Sequence, residues 1–272
     1  MAARLESTVP PILTARKVFR DPVHDIISYK DEPRLGPVVG ALIDSREMQR
    51  LRFVRQLGLA NLVFHAAEHS RFAHSMGVAH LARRICDRFP AQMDDDARIL
   101  TVAAALLHDV GHAPFSHVLE RVFAFHHEDL SAAILQNPEA EAHQVLASVD
   151  PTLPGRVVDL IRGHEPGVSR DIVSSQLDAD RFDYLLRDAH MTGARVGQFD
   201  LERILVMLRS DEAGLLVDLR AYEAVEGYLV ARYHMYRLIY YHRAVRCAET
   251  MVERAFARAR HLARAGDARL LP

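Results

Sequence analysis

Apolar and polar residues alternate along this chain with mostly helical spacing. Leu42, Ile43, Met48, Leu51, Val54 and Leu57 recur at three- and four-residue intervals and predict a helix across 38–57, stopped at Gly58. Residues 61–65 read as a short connector in extended form. Ser70 suits an N-cap for a helix over 71–89, in which Val78, Leu81 and Ile85 share a face with His74 at offsets of four, seven and eleven. Asp94 to Asp96 place negative charge at the start of a further helix whose body, Ile99 to Leu107, carries no polar side chain except Thr101. Gly111 and Pro114 break it, and the next helix sets His117 and Glu120 on one face. Residues 121–135 read as a further amphipathic helix or pair. The stretch 137–155, rich in Pro, Asp and Glu, reads as a connection, and helix resumes over 157–161.

Only two stretches carry a strand signal. Residues 17–29 hold short apolar pieces around Asp21-Pro22, which predicts a small hairpin, and 203–218 reads as two apolar strands joined at 211–214. Residues 174–190 predict a helix on which Asp180, Tyr184, Arg187 and Asp188 share a face. A polar face of that kind ordinarily meets solvent. A long helical tract from Tyr222 to about Leu262 contains Tyr228, Arg232, Tyr233, Tyr236, Tyr240 and Tyr241, a pattern suited to core or to a subunit interface. Residues 1–16 read as a flexible N-terminal arm and the last residues as a helix end or linker. There is no internal repeat, and 17–272 reads as one domain.

Composition narrows the class. The 272 residues include 49% hydrophobic and 26% charged side chains, ordinary values for a globular domain, with a formal charge of −2 that gives no signal for nucleic-acid binding. Two cysteines imply no disulfide framework, and no apolar run approaches membrane-spanning length, so a cytoplasmic location is expected. The 16 histidines are many, and five ionisable side chains (His108, Asp109, His112, His117 and Glu120) crowd the stretch LLHDVGHAPFSHVLE directly behind the apolar helix. Polar groups at the edge of a core are costly unless paired or bound to a metal. Imidazole and carboxylate together are a common divalent-metal shell. For His74 alone a hydrogen-bonded core histidine is the simpler explanation, as a hydrated surface pair is for His127-Glu128 and a dipole-stabilised surface position for His164. No Gly-rich phosphate loop, HExxH helix, Cys pair or G-x-S-x-G elbow is present.

What remains is His74, then His108-Asp109, then an Asp from the Asp178/Asp180 pair, each on a different predicted helix. With their flanks RFAHSMGV, LLHDVGHAPFSH and LDADRFDYLLRDAH, these segments resemble the HD-domain metal-dependent phosphohydrolases. Within them they resemble the deoxynucleoside triphosphate triphosphohydrolases, including the catalytic core of the animal sterile-alpha-motif/HD-domain enzyme. The resemblance spans roughly residues 17–260. It implies a mainly α fold, a helical bundle with a small β-hairpin and short N-terminal strands. The implied activity is hydrolysis of a dNTP to deoxynucleoside and triphosphate. It also implies one divalent ion (Mn, Fe, Zn, Ni or Mg) held by His74, His108, Asp109 and Asp180.

His117, oriented by Glu120 with His127 completing the cluster, is the implied proton-transfer group. Glu120 departs from the Asp of the animal enzyme. Implied phosphate contacts are Arg71, His112, Arg181, Tyr184 and Arg232. Gln56 and Asp188 would bind the 3′-hydroxyl, and Leu57 and Tyr240 would crowd the 2′ position. Lys17, Val18, Asp44, Gln49 and Arg52 resemble an activating-nucleotide site. They equally suit structural roles, Asp44 as a helix N-cap and Arg52 in a salt bridge. A homo-oligomer is expected. Alternative readings are another HD phosphohydrolase, acting on a nucleoside monophosphate or cyclic nucleotide, and a non-catalytic nucleotide-binding regulator.

Overall fold

The computed structural model describes residues 17–115, 117–164, 166–212 and 214–264. The expected N-terminal arm (1–16) and the last eight residues (265–272) lie outside the described residues. The fold is mainly α, as the resemblance implies, with two small antiparallel hairpins. In the first, β1 (Val18–Asp21) pairs with β2 (Asp25–Ser28) in the register Phe19↔Ile27, so the predicted entrance hairpin is present.

The expected helix over 38–57 is two helices, α1 (Leu35–Asp44) and α2 (Arg46–Arg50), followed by a tight turn at Leu51–Phe53. Its interruption is Ser45, whose hydroxyl donates to the Leu42 carbonyl and accepts from Met48 N–H, a local competitor for helical bonds. Asp44 therefore closes α1 rather than capping the next helix. Residues Ala60–Leu62 form a helical turn where an extended connector was expected.

The core is built on α3 (Arg71–Cys86) and α4 (Asp95–Leu107). Ser70 and Asp94 cap them as expected, accepting from Ala73 N–H at 3.3 Å and Ala97 N–H at 2.8 Å. Every residue of α4 from Ile99 to Leu107 is buried, because α3, α1 (Leu35–Asp44) and a later helix, α8 (Leu153–Ile161), pack around it. Between them run α5 (His117–Phe123), α6 (His127–Gln136) and α7 (Glu141–Val149). The segment 137–155 is thus no mere connection. Ala142 and Leu146, one turn apart, are both fully buried, while the acidic and proline residues beside them dominate its composition.

Beyond α9 (Val168–Val173), α10 (Ala179–Thr192) lies against α3. The first part of the expected second hairpin is helical, α11 (Leu201–Val206), and only β3 (Leu208–Asp211) and β4 (Gly214–Val217) pair. Asp200 caps that short helix by accepting from Arg203 N–H at 2.9 Å, a start signal that apolar composition hides. The long C-terminal tract is interrupted. α12 (Tyr222–Met235) passes into a π-type turn at Tyr236–Tyr240 and breaks before α13 (Arg243–Arg264). Tyr228 is fully buried, whereas Tyr233 and Tyr241 are exposed.

Buried histidine sets an acid limit on this core. His80 on α3 has its pKa lowered to about 4, by burial first, then by the neighbouring His24 ring and the Arg83 guanidinium. In the unfolded chain it returns to about 6.5, so between those values the unfolded state binds the extra proton. Stability therefore falls as pH drops through that window, by up to about 1.4 kcal/mol per pH unit. Melting curves at pH 7 and pH 5 should show the loss, and His80→Gln should flatten it.

Candidate metal and phosphate site

The loop after α4 is shaped before any ligand is considered. His108 caps α4, and its Nδ1 lies 2.8 Å from the Ala105 carbonyl, so that nitrogen donates and Nε2 is the ring atom turned toward the carboxylates. Ser131 on α6 pins the loop by accepting from Gly111 N–H at 2.9 Å and donating to the His108 carbonyl at 3.0 Å. Gly111 has no alternative, since a Cβ there would lie 2.2 Å from the His127 carbonyl oxygen. Arg50 donates to the Val110 and His112 carbonyls at 2.6 and 2.8 Å, a clamp that sequence reading missed.

Three of the four expected metal ligands, His74, His108 and Asp180, bring their ligand atoms within 4.8 Å of one another, and Asp109 stands beside them. His74 Nε2 lies 3.0 Å from Asp180 Oδ1 and 3.9 Å from Asp109 Oδ2, and His108 Nε2 lies 3.4 Å from Asp109 and 3.6 Å from Asp180. His108 Nε2 is buried and makes no hydrogen bond. A buried ring nitrogen facing two carboxylates without a hydrogen bond is what a cation would satisfy, and two nitrogens with two carboxylates form a donor set suited to a first-row divalent ion. Burial alone would lower the His74 pKa, but hydrogen bonds to Asp180 and Asp183 carry it up to about 10. Burial opposes ionisation of Asp180 as well, and the two histidines override it to hold that carboxyl below its ordinary range. Asp109 is likewise held well down against its burial, chiefly by the Arg71 guanidinium it binds.

The Asp178/Asp180 ambiguity resolves by geometry. Asp178 is the N-cap of α10, accepting from Arg181 N–H at 2.7 Å and Ser175 N–H at 2.9 Å, and only Asp180 faces the histidines. On the same helix the polar face expected to meet solvent is half-buried at Asp180 and Tyr184 and buried at Arg187 and Asp188. Arg187 and Asp188 are 0% and 1% exposed, because Arg187 bonds Asp183 and Asp21, and Asp188 accepts from His69 and Tyr240.

Beside this group lies a second one. Glu120 joins His117 Nδ1 at 3.0 Å and His127 Nδ1 at 2.9 Å, and the His112 and His127 rings stack at 3.8 Å. His127 is thus part of the cluster rather than half of a hydrated pair. Burial lowers the His112 pKa to about 3, which keeps that ring neutral. Burial of Glu120 favours protonation, but the His117 contact lowers its pKa. His117 is 59% exposed at its side chain and faces the cleft.

The cleft has a volume of about 650 Å³. Its lining includes His74, Asp109, Asp180, His117 and His127, together with all nine expected substrate contacts: Gln56, Leu57, Arg71, His112, Arg181, Tyr184, Asp188, Arg232 and Tyr240. Phe115, Tyr241 and Arg246 line it as well, unforeseen from the sequence. A second cavity of about 570 Å³ is lined by Lys17, Val18, Asp44, Gln49 and Arg52 with Phe19 and Ile43. There Lys17 pairs with Asp44, and Arg52 donates to Gln49 at 2.7 Å and covers the Phe72 ring, rather than joining an acid.

Residues 71–188 match the HD domain and residues 199–270 the HD associated region. The chain is 43% identical over 254 residues to the YwfO protein of Bacillus subtilis, an alignment covering 92% of this chain and 57% of that protein. It is 31% identical over 271 residues to the deoxynucleoside triphosphate triphosphohydrolase SAMHD1 homolog of Dictyostelium discoideum, covering 92% of this chain and 51% of that one. A crystal structure of a phosphohydrolase from Bacteroides thetaiotaomicron superposes with a TM-score of 0.81 at 30% identity, covering 93% of this chain and 61% of that chain. The chain therefore spans between half and two thirds of the length of these relatives. No helix among the described residues is long and apolar enough to cross a membrane.

Proposed function

Because the chain carries an HD domain followed by an HD-associated region, we propose that it is a metal-dependent phosphohydrolase that cleaves deoxynucleoside triphosphates to deoxynucleoside and triphosphate. The observation that carries this reading is the unpartnered His108 Nε2. It points at Asp109 and Asp180 beside a cleft that also gathers Arg71, Arg181 and Arg232. The triphosphohydrolase name borne by the Dictyostelium relative supports the substrate class.

His74, His108, Asp109 and Asp180 would hold the divalent ion. The chemistry supplied there by a bound ion is polarisation of a phosphate oxygen and orientation of a water. The three arginines present forked donors to the phosphate chain, and neutral His112 adds a hydrogen bond without charge. Water attack at the α-phosphorus breaks the bond to the 5′ oxygen, which takes a proton from His117 as it leaves. Glu120, bridging His117 and His127, holds that ring in place. Asp188, already fixed by His69 and Tyr240, would receive the sugar 3′-hydroxyl with Gln56. Leu57 and Tyr240 would occupy the space a 2′-hydroxyl needs. An activating nucleotide in the second cavity and a homo-oligomer using exposed Leu229, Tyr233 and Tyr241 belong to the same proposal.

Incubation with a dNTP panel and Mn²⁺, with products separated by ion exchange, should give triphosphate and deoxynucleoside. Orthophosphate alone, or diphosphate with a monophosphate, would sink the assigned cleavage at the 5′ oxygen, failure to cleave any dNTP would sink the substrate assignment, and tight dNTP binding without turnover would sink the enzyme reading. His117→Ala should lower kcat by about 10²-fold or more while leaving Mn²⁺ uptake intact.

A further inference from the structure

The β1–β2 turn reaches the metal group from behind. Asp21 Oδ1 accepts from the backbone N–H of Val23 at 2.9 Å and of His24 at 3.0 Å, an Asx-type turn. Asp25, with φ 59°, completes it in the left-handed region that Asp tolerates. The turn drives the His24 side chain, 3% exposed, against Asp183, which is wholly buried. His24 Nε2 lies 2.6 Å from Asp183 Oδ1, and the other oxygen of that carboxylate lies 2.8 Å from His74 Nδ1. Arg187 brackets both oxygens at 2.8 and 2.9 Å and reaches back to Asp21.

An ionised carboxylate only accepts, so both imidazoles turn an N–H toward Asp183. With Nδ1 committed in this way, His74 presents Nε2 to Asp180 at 3.0 Å. Partners of this kind, a carboxylate behind a ligating histidine, fix its tautomer and ring plane. We infer that His24 is a positioning residue of the metal centre, its Nε2–H fixing the Asp183 carboxylate and through it the orientation of His74. The N-terminal hairpin is thereby one wall of a site whose other groups stand on α3, on the loop after α4 and on α10. The inference rests on the metal-holding part of the proposed function and is independent of the substrate.

The test is Mn²⁺ affinity, followed by the paramagnetic signal of free Mn²⁺, with melting temperature recorded in EDTA. His24→Ala should weaken Mn²⁺ binding about tenfold, the lower end of the range for outer partners of a ligand. His24→Gln, which returns an N–H near the same place, should stay within about twofold of wild type. Ile27→Val weakens the same hairpin at a core position 1% exposed and should lower the melting temperature without changing affinity. The proposal is overturned by wild-type affinity in His24→Ala, by a His24→Gln protein as weak as His24→Ala, or by an equal loss in Ile27→Val. Wild-type protein that takes up no Mn²⁺ would overturn the metal centre itself and this inference with it. Failure to cleave dNTPs, with Mn²⁺ binding retained, would touch only the substrate assignment.

Discussion

Replacing Asp180 by alanine is expected to remove metal uptake and phosphohydrolysis together, whereas alanine at Asp178, two residues away, is expected to leave metal uptake intact. Asp180 supplies the carboxylate oxygen 3.0 Å from His74 Nε2 and 3.6 Å from His108 Nε2, and without it the two imidazoles share only Asp109. Asp109 is itself bound to Arg71, which offsets its charge toward a cation. The loss should therefore exceed the roughly 10–100-fold that follows removal of an outer partner. Asp178 instead caps α10 and anchors the Arg181 guanidinium. Its removal should lower stability by about 1–2 kcal/mol and raise KM as Arg181 loses its anchor. Elemental analysis of the two purified variants, beside triphosphate release, separates the outcomes. Equal metal content in Asp180→Ala and wild type would remove Asp180 from the ligand set.

The contrast marks what a sequence can disclose. Spacing placed His74 on the face of α3 that also carries Val78, Leu81 and Ile85, and helix-cap chemistry placed Ser70 and Asp94. Both depend on neighbours within a few turns, and such signals are local. The motif order, read through family resemblance, named Asp109 and Asp180. His24, His69, Asp183 and Arg187 were not visible as a network, because each draws its meaning from partners up to 166 positions away. The face of α10 looked solvated because charged side chains usually are. Here Asp183 and Arg187, one turn apart, neutralise each other and are then buried under β1–β2. The helix at Glu141–Val149 was hidden by composition, since only Ala142 and Leu146 mark its inner face. The interruption at Ser45 was hidden for another reason, since a hydroxyl that competes for backbone bonds does not disturb the apolar period.

Arg187→Leu is expected to be the most destabilising single change away from the cleft, at about 3–5 kcal/mol. Arg187 is wholly buried and gives hydrogen bonds to two carboxylates, Asp183 at 2.8 and 2.9 Å and Asp21 at 2.9 and 3.2 Å. Leucine would fill much of the space but leave the buried Asp183 and Asp21 carboxylates without the guanidinium they share. Removing one partner of such a group is worse than removing the group, because an uncompensated charge remains out of water. The double variant Asp183→Asn with Arg187→Leu should accordingly recover part of the loss, since one of the two stranded charges is gone. Gly77 packs directly against this group, for a Cβ there would lie 1.8 Å from Asp183 Oδ1. Urea denaturation of the wild type and the two variants measures the effect. A double variant less stable than Arg187→Leu would show that the stranded carboxylates are not the source of the loss.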